Sequence, residues 1–503
     1  MEYNKLLARS FSHYEQKMIG CWAFSVFLII TILTYYFALI SNPSSLASIP
    51  ILNTDADLRM VVFRDTSSRI QQLYSDHDHQ VIESSELEVK EIIKEVIEVV
   101  DRIDGQTKQE TVELPPVCNV SDQKFDICDI DGDIRIDGKS STILYTSSST
   151  NGYFAGNDSW RIQPYPRKTD KGAMKNVNEI LVKPFLNNDS YAPTCTRYQS
   201  VPAVIFSVGG FASNHFHAYN DVLVPLFLTS RQFNQEVQFL ITDSKPSWIS
   251  KYKLILDALS KYPILDLDKQ NDALCYKKVI LGLNFHKFLS IDPLKSPKNY
   301  SMENFTQFLR SAYSLKRSSP INMTVKGSGH RKKHPRLLIV SRQRTRKFSN
   351  VNSIAKMAKS LGYQVVIEEP SYAKDASTFT QMVNSCDVMM GVHGAGLTNI
   401  VFLPPGAVFI QVVPFGVKWV STKYFAEPAP DMKLQYLEYK IAANESSLIQ
   451  QYPIDHAVFK DPHSIGKQGW NVFKSVYLDK QDVNLDVGRF RPTLLKALDL
   501  LRK

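Results

Sequence analysis

The sequence predicts an α/β protein with two Rossmann-type halves around a cleft, set behind an N-terminal transmembrane helix and a stem. Three observations predict it. A charge-free apolar run lies near the N-terminus; short apolar strands alternate with amphipathic helices from residue 336 onward; and a looser version of that alternation precedes them.

The apolar run spans residues 18–40 and contains no charged side chain. At about 1.5 Å rise per residue it reaches roughly 34 Å, enough to cross a hydrocarbon core. Lys5, Arg9 and Lys17 precede it, whereas Arg59 is the sole basic residue of the next twenty, beside Asp55 and Asp57. The positive-inside rule then assigns 1–17 to the cytosol, 18–40 to a signal-anchor and the remainder to the lumen. A cleaved signal peptide is disfavoured, because its apolar core runs about 7–15 residues and ends in an A-x-A-like site. Seven N-x-S/T sequons, at Asn119, Asn157, Asn188, Asn299, Asn304, Asn322 and Asn444, all follow the span and agree with a glycosylated lumenal chain.

Residues 41–114 read as a stem. Within it, residues 84–100 carry Leu, Val and Ile at helical spacing, the pattern of a short coiled coil that would join two copies as a homodimer, or of a solvated spacer helix. Of six cysteines, Cys21 falls in the span. Cys118 and Cys128 are candidates for a short disulfide in an oxidising compartment, and Cys386, in an apolar stretch, reads as a buried thiol. The net charge of +9 comes from scattered groups, apart from clusters at 330–334 and 342–347. A nucleic-acid-binding face, with its interleaved aromatics, is excluded; anionic phosphates or an acidic polysaccharide suit the balance better.

About 385 residues follow the stem, more than one core usually serves, so two domains are expected, 115–325 and 336–503, with the linker at 326–335. Strands are expected at 336–341, 364–368, 387–392 and 408–413, and helices at 352–361 and 377–385. The first half offers strands at 203–207, 237–242 and 278–281.

Ligands of open parallel sheets bind beyond the carboxyl ends of the strands. One such end runs into His393-Gly394-Ala395-Gly396-Leu397-Thr398-Asn399, where the glycines admit close backbone approach and a following helix would offer free N–H groups to a diphosphate. Another runs into Arg342-Gln343-Arg344-Thr345-Arg346-Lys347, whose guanidiniums suit phosphate oxygens. In the first half, Gly209-Gly210 leads to His217 and Asp221, which share a helix face at i,i+4; one would be a general base and the other would orient it. The acidic runs Asp129-x-Asp131-x-Asp133 and Asp266-x-Asp268 read as acidic turns rather than metal ligands, and no Cys/His set has zinc spacing.

Four of these segments together resemble plant members of glycosyltransferase family 61: Cys128–Arg135 (C-D-I-D-G-D-I-R), Gly209-Gly210 with His217-x-x-Asn220-Asp221, Ser341-Arg342-x-x-x-Arg346, and Gly391–Asn399 (G-V-H-G-A-G-L-T-N). The resemblance spans about residues 115–500 and implies a GT-B-like fold and transfer of a sugar from a UDP-sugar. Carried onto this chain, it implies a donor site of Arg342, Arg346, His393, Gly394, Ala395 and Gly396, supported by Thr398 and Asn399, and a base at His217 or Asp221. No tightly bound cofactor or metal is expected, since basic groups would stabilise the leaving UDP. The family expectation is an inverting transfer of xylose or arabinose onto xylan in the Golgi. The alternatives are a UDP-GlcNAc-dependent transferase acting on protein and a non-catalytic Golgi scaffold.

Overall fold

The computed structural model describes residues 117–146, 159–185, 192–195, 197–323, 334–369 and 376–502. The expected tail, span and stem lie outside these residues, as do Asn157, Asn188 and most of the linker. Among the described residues no helix is long and apolar enough to cross a membrane. The chain divides into two compact units, Met1–Leu114 and Pro115–Lys503, and every described residue belongs to the second.

The first half is built on a ten-stranded mixed sheet. Its strands are β1 (Cys118–Asn119), β2 (Ile127–Asp137), β3 (Thr142–Thr146), β4 (Trp160–Ile162), β5 (Ile180–Pro184), β6 (Arg197–Tyr198), β7 (Ala203–Ser207), β8 (Gln238–Thr242), β9 (Leu265–Asp266) and β10 (Leu274–Leu281). They run in the order β4-β5-β3-β2-β10-β7-β8-β9, with β1 on β2 and β6 on β10. Only β10-β7-β8-β9 forms the parallel run that the Rossmann-type expectation requires. β7 and β8 are buried at every position, as a strand covered on both faces must be.

Beyond β10 the pairing turns antiparallel through β2, and here the structure corrects the sequence reading. The acidic run at 129–133 is a strand, not a turn. Ile130, Ile134 and Ile136 point into the core, while Asp129 and Asp131 point outward and share the ammonium of Lys278 on β10. The Asp266-x-Asp268 segment does turn: β9 passes into a 3₁₀ turn (Leu267–Lys269), and Asp268 accepts hydrogen bonds from Thr242 Oγ1 and the Asp243 amide.

The second half holds five strands, β11 (Arg336–Val340), β12 (Gln364–Glu368), β13 (Val388–Val392), β14 (Val408–Val413) and β15 (Gln435–Lys440). All pair in parallel in the order β12-β11-β13-β14-β15. The chain therefore leaves β11 for one side, then returns to the other side of β11 to form β13. The loops from these two ends part company, which opens a crevice at their carboxyl ends. One core joins the two sheets through Phe206 and Phe239 of the first and Leu338, Val340, Met389 and Phe409 of the second. Alternate residues of β11, Leu337 and Ile339, face a second core against Phe490 and Leu494 of the C-terminal helix (Val487–Leu500).

Cys118 pairs with Cys128 across β1 and β2, and Cys195 with Cys275 of β10. Cys386 is a buried free thiol, raised to about 11 by burial, with Sγ 3.2 Å from the Met382 carbonyl oxygen. The five described sequon asparagines, Asn119, Asn299, Asn304, Asn322 and Asn444, are all exposed.

The disulfides close loops of very different size, with separations of 10 and 80 residues. Loop-closure entropy assigns about 3 kcal/mol to the first and about 4.5 kcal/mol to the second. The double substitution Cys195→Ser/Cys275→Ser is therefore expected to lower the denaturation midpoint more than Cys118→Ser/Cys128→Ser. A urea titration of the two variants measures the order; the reverse order would mean that native packing, not loop closure, dominates.

Candidate active site

The crevice between the ends of β11 and β13 is lined by the two clusters singled out in the sequence. Gly394 follows β13 with φ 152° and ψ 176°, a conformation open essentially to glycine alone. A Cβ there would lie 2.6 Å from Arg342 Nη1 and 3.2 Å from Arg346 Nη1. The glycine thus lets two guanidiniums approach one point of the backbone.

Their orientation is fixed locally. Arg342 Nε donates to the Thr345 carbonyl at 2.7 Å, and Arg346 Nη1 donates to the His393 carbonyl at 3.1 Å. Arg346 itself sits in the left-handed region, φ 54°, with its amide donating to the Gln481 carbonyl. Burial first, then the neighbouring Arg342, pushes the Arg346 guanidinium down to about 9; Asp479 opposes the shift. The group remains cationic at neutral pH, in a setting that an added anion would relieve. Two buried atoms around this crevice have no hydrogen-bond partner, Arg346 Nε and Thr398 Oγ1.

His393 is buried, and burial together with Arg346 and Arg342 holds it well below its ordinary range, hence neutral. Its tautomer follows from a relay. The Tyr436 hydroxyl donates to Gln411 Oε1 at 2.8 Å, which turns the amide Nε2 toward His393 Nδ1, 3.1 Å away. With Nδ1 accepting, the proton is at Nε2, so His393 presents a neutral N–H donor. The helix expected after the glycines is present as a 3₁₀ helix (Ala395–Phe402), started by Leu397 N donating to the Gly394 carbonyl. Thr398 and Asn399 are buried within it, and Asn399 Nδ2 donates to the Gly396 carbonyl at 2.9 Å.

The His–Asp pair of the first half forms as the spacing suggests, though by a less regular route. Asn214 caps α1 (His215–His217), which passes through a π-helical stretch (Ala218–Leu223) into α2 (Val224–Ser230). His217 Nδ1 lies 2.9 Å from Asp221 Oδ2. The same oxygen accepts from the Tyr165 hydroxyl at 2.7 Å and from Arg167 Nε at 2.8 Å, and Oδ1 accepts from Asn220 Nδ2. Burial opposes ionisation of Asp221, but the bonds from His217 and Arg167 outweigh it and hold the carboxyl below its usual range. Four donors saturate this fully buried carboxylate, which leaves it no role as an abstracting base. His217 keeps 20 % of its side chain exposed. Because ionised Asp221 can only accept, Nδ1–H donates to it and the neutral ring's lone pair is on Nε2.

Aromatic contacts bring the two clusters together. After β14, α3 (Lys418–Ser421) continues into a π-helical turn (Thr422–Ala426). There Tyr424 stacks on Phe216 at 4.8 Å, and Phe425 lies 5.6 Å from Phe216 and 5.5 Å from His393. His215 Nε2 faces Asn399 Oδ1 at 3.4 Å. The residues that sequence reasoning missed are the connecting ones. Tyr165, Arg167, Gln411, Tyr424 and Tyr436 stand outside any motif, and their partners are distant in sequence. Among the described residues no group of three or more His, Cys, Asp and Glu could hold a metal ion.

A family model described as Glycosyltransferase 61 matches residues 215–410, a stretch containing every donor-site and base candidate. An alpha-1,3-arabinosyltransferase of Oryza sativa subsp. japonica is 44 % identical over 80 % of this chain and 67 % of its own length. A beta-1,2-xylosyltransferase of the same organism is 41 % identical over 76 % of this chain and 84 % of its own. A xylan glycosyltransferase of Arabidopsis thaliana is 35 % identical over 79 % of this chain and 84 % of its own.

The crevice makes a prediction about anions. Replacing a charged donor to a phosphate costs about 1.5–3 kcal/mol, so Arg346→Ala is expected to weaken UDP binding about 10- to 100-fold in calorimetric titration. Gly394→Ala should weaken it similarly, because the added Cβ displaces the Arg342 guanidinium and strains the backbone. UDP affinity equal to wild type in both variants would place the diphosphate elsewhere.

Proposed function

The chain belongs to glycosyltransferase family 61 and is a glycosyltransferase, and we propose that it transfers a pentose, arabinose or xylose, from a UDP-sugar onto xylan with inversion of configuration. The observation that carries the reading is the pairing of a cationic crevice, Arg342 and Arg346 against Gly394, with an Asp221-oriented His217 across an aromatic junction. The relatives' names supply the sugar class and the polymer.

In this mechanism the diphosphate lies against Arg342 and Arg346, with the His393 Nε2–H as a neutral donor beside them. His217 Nε2 takes the proton of the acceptor hydroxyl as that oxygen attacks the anomeric carbon from the face opposite the nucleotide. The bond to the β-phosphate oxygen breaks, and the charge gathering there falls under the two guanidiniums. Donors already aimed at the developing charge need no reorganisation as the bond breaks. Asp221 holds the His217 Nδ1 proton and stabilises the imidazolium; Tyr165 and Arg167 hold Asp221. Arg167 also packs over the Phe211 ring, 5.9 Å from its centroid, and Tyr424 of the second half lies within its electrostatic reach. Direct in-line attack gives inversion, and a β-xyloside formed from an α-xylosyl nucleotide would report it.

The proposal extends to the cell. Residues 18–40 anchor the chain in the Golgi membrane, 41–114 hold the catalytic unit away from the bilayer, and that unit faces the lumen. Deleting residues 1–114 should release a soluble protein with turnover intact; loss of turnover would give the stem a part in catalysis.

Two measurements test the chemistry. Xylo-oligosaccharide incubated with UDP-arabinose or UDP-xylose should yield UDP and a branched product, and no product with either pentose would overturn the reading. Removing a general base typically costs about 10²–10⁴-fold, so His217→Ala should lower kcat by that order while keeping UDP affinity. Wild-type turnover in His217→Ala would move the base to another residue.

A further inference from the structure

Beyond the catalytic residues, the second half carries an exposed aromatic surface for which the reaction step has no use. Trp419, on α3, is 55 % exposed, and Trp470, the first residue of α4 (Trp470–Phe473), is 51 % exposed. Both touch Phe473, whose ring centroid is 6.2 Å from that of Trp419 and stacked 5.5 Å from that of Trp470. Phe473 is buried and belongs to a small core with Val417, Val420 and Tyr477, so the two indoles stand on a rigid base. Large aromatic surface left in water has a cost that a globular chain normally avoids, which marks such patches as contact surfaces.

Three observations identify the partner. The first is position. α3 leaves the carboxyl end of β14, the neighbour of the strand that delivers His393, and one turn later the same segment places Tyr424 on Phe216. The platform is thus continuous in the chain with the acceptor side of the proposed site. The second is charge. Three cations along this surface are matched within the protein, Lys418 with Glu438, Lys423 with Glu427, and Lys474 with Asp479, while the exposed Lys467 is not paired among the described residues. One unpaired lysine is not the basic cluster that an acidic lipid surface or a nucleic acid would call for. The third is shape. Indole faces match the C–H faces of pyranose rings, which are flat, weakly polar and uncharged, and two indoles in tandem suit a chain of such rings better than one.

We propose that Trp419 and Trp470 form a platform that binds a neutral β-linked polysaccharide chain, the acceptor, several sugar units from the residue being modified. This rests on the reading that the acceptor is a xylan. It adds that polymer length is sensed on the second half, outside the reacting centre.

The test separates the platform from the reaction. Affinity electrophoresis of the protein through gels containing neutral xylan, without donor sugar, reads polymer binding alone. Trp419→Ala/Trp470→Ala is expected to weaken retardation about tenfold, the order expected for losing two aromatic contacts. Trp419→Phe/Trp470→Phe, which keeps ring faces, should restore most of it. UDP affinity and melting temperature serve as controls for folding and should not move. If transfer occurs, KM for long xylan should rise while KM for a xylobiose acceptor stays put. Retardation unchanged in the alanine variant would overturn the platform even if transfer is observed. Retardation that falls in a protein showing no transfer with either pentose would keep the platform and overturn the reaction instead. Light scattering supplies the remaining outcome: if the alanine variant loses self-association rather than xylan binding, the surface is an interface between copies and the proposal fails.

Discussion

Two guanidiniums held against one glycine are the constraint around which the rest of the site is arranged. Arg342 and Arg346 repel each other, and Arg346 is half-buried. They tolerate this because Gly394 has no side chain and because backbone carbonyls of Thr345 and His393 take their N–H groups. Burial first, and the same field with it, keeps His393 neutral, and the Tyr436–Gln411 relay then selects its tautomer. A crevice prepared in this way stores unfavourable electrostatics that a bound anion would relieve, and in the proposed reaction that anion is the diphosphate, held more tightly as it gains charge.

The two histidines that matter are kept neutral or oriented by opposite means. His393 is surrounded by cations and burial, so it serves as a donor. His217 is tied to an ionised, saturated carboxylate and remains partly exposed, so its free nitrogen is reachable. The sheets supply this difference: the parallel order β12-β11-β13 places one histidine at a strand end, and the helix after β7 supplies the other. The junction of Phe216, Tyr424 and Phe425 then holds the two halves of the site in register.

The second sheet was largely legible in the sequence, because β11, β13 and β14 are buried on both faces and read as apolar runs bounded by turn residues, and β12 keeps an apolar V-V-I centre at the edge. The strands at 336–340, 364–368, 388–392 and 408–413 fall within a residue of expectation. β15 was missed because Gln435–Lys440 is half exposed and mixes charges with aromatics. β2 was misread for a related reason. Its Ile/Asp alternation has the period of a strand, but the density of Asp and Gly resembles a turn, and the pairing that decides the matter comes from Lys278, nearly 150 residues away. Within the site, the glycine loop, both arginines and the His–Asp spacing were visible as motifs. Tyr165, Arg167, Gln411 and Tyr424 were not, since each gains its role only from a partner that folding brings close.

The central claim is that the crevice between β11 and β13 holds the diphosphate of the donor. A structure of the protein with UDP bound tests it most directly. The account predicts diphosphate oxygens within hydrogen-bond reach of Arg342 and Arg346, with the Thr398 hydroxyl and His393 Nε2 turned toward them. UDP seated with its phosphates away from both arginines would contradict it.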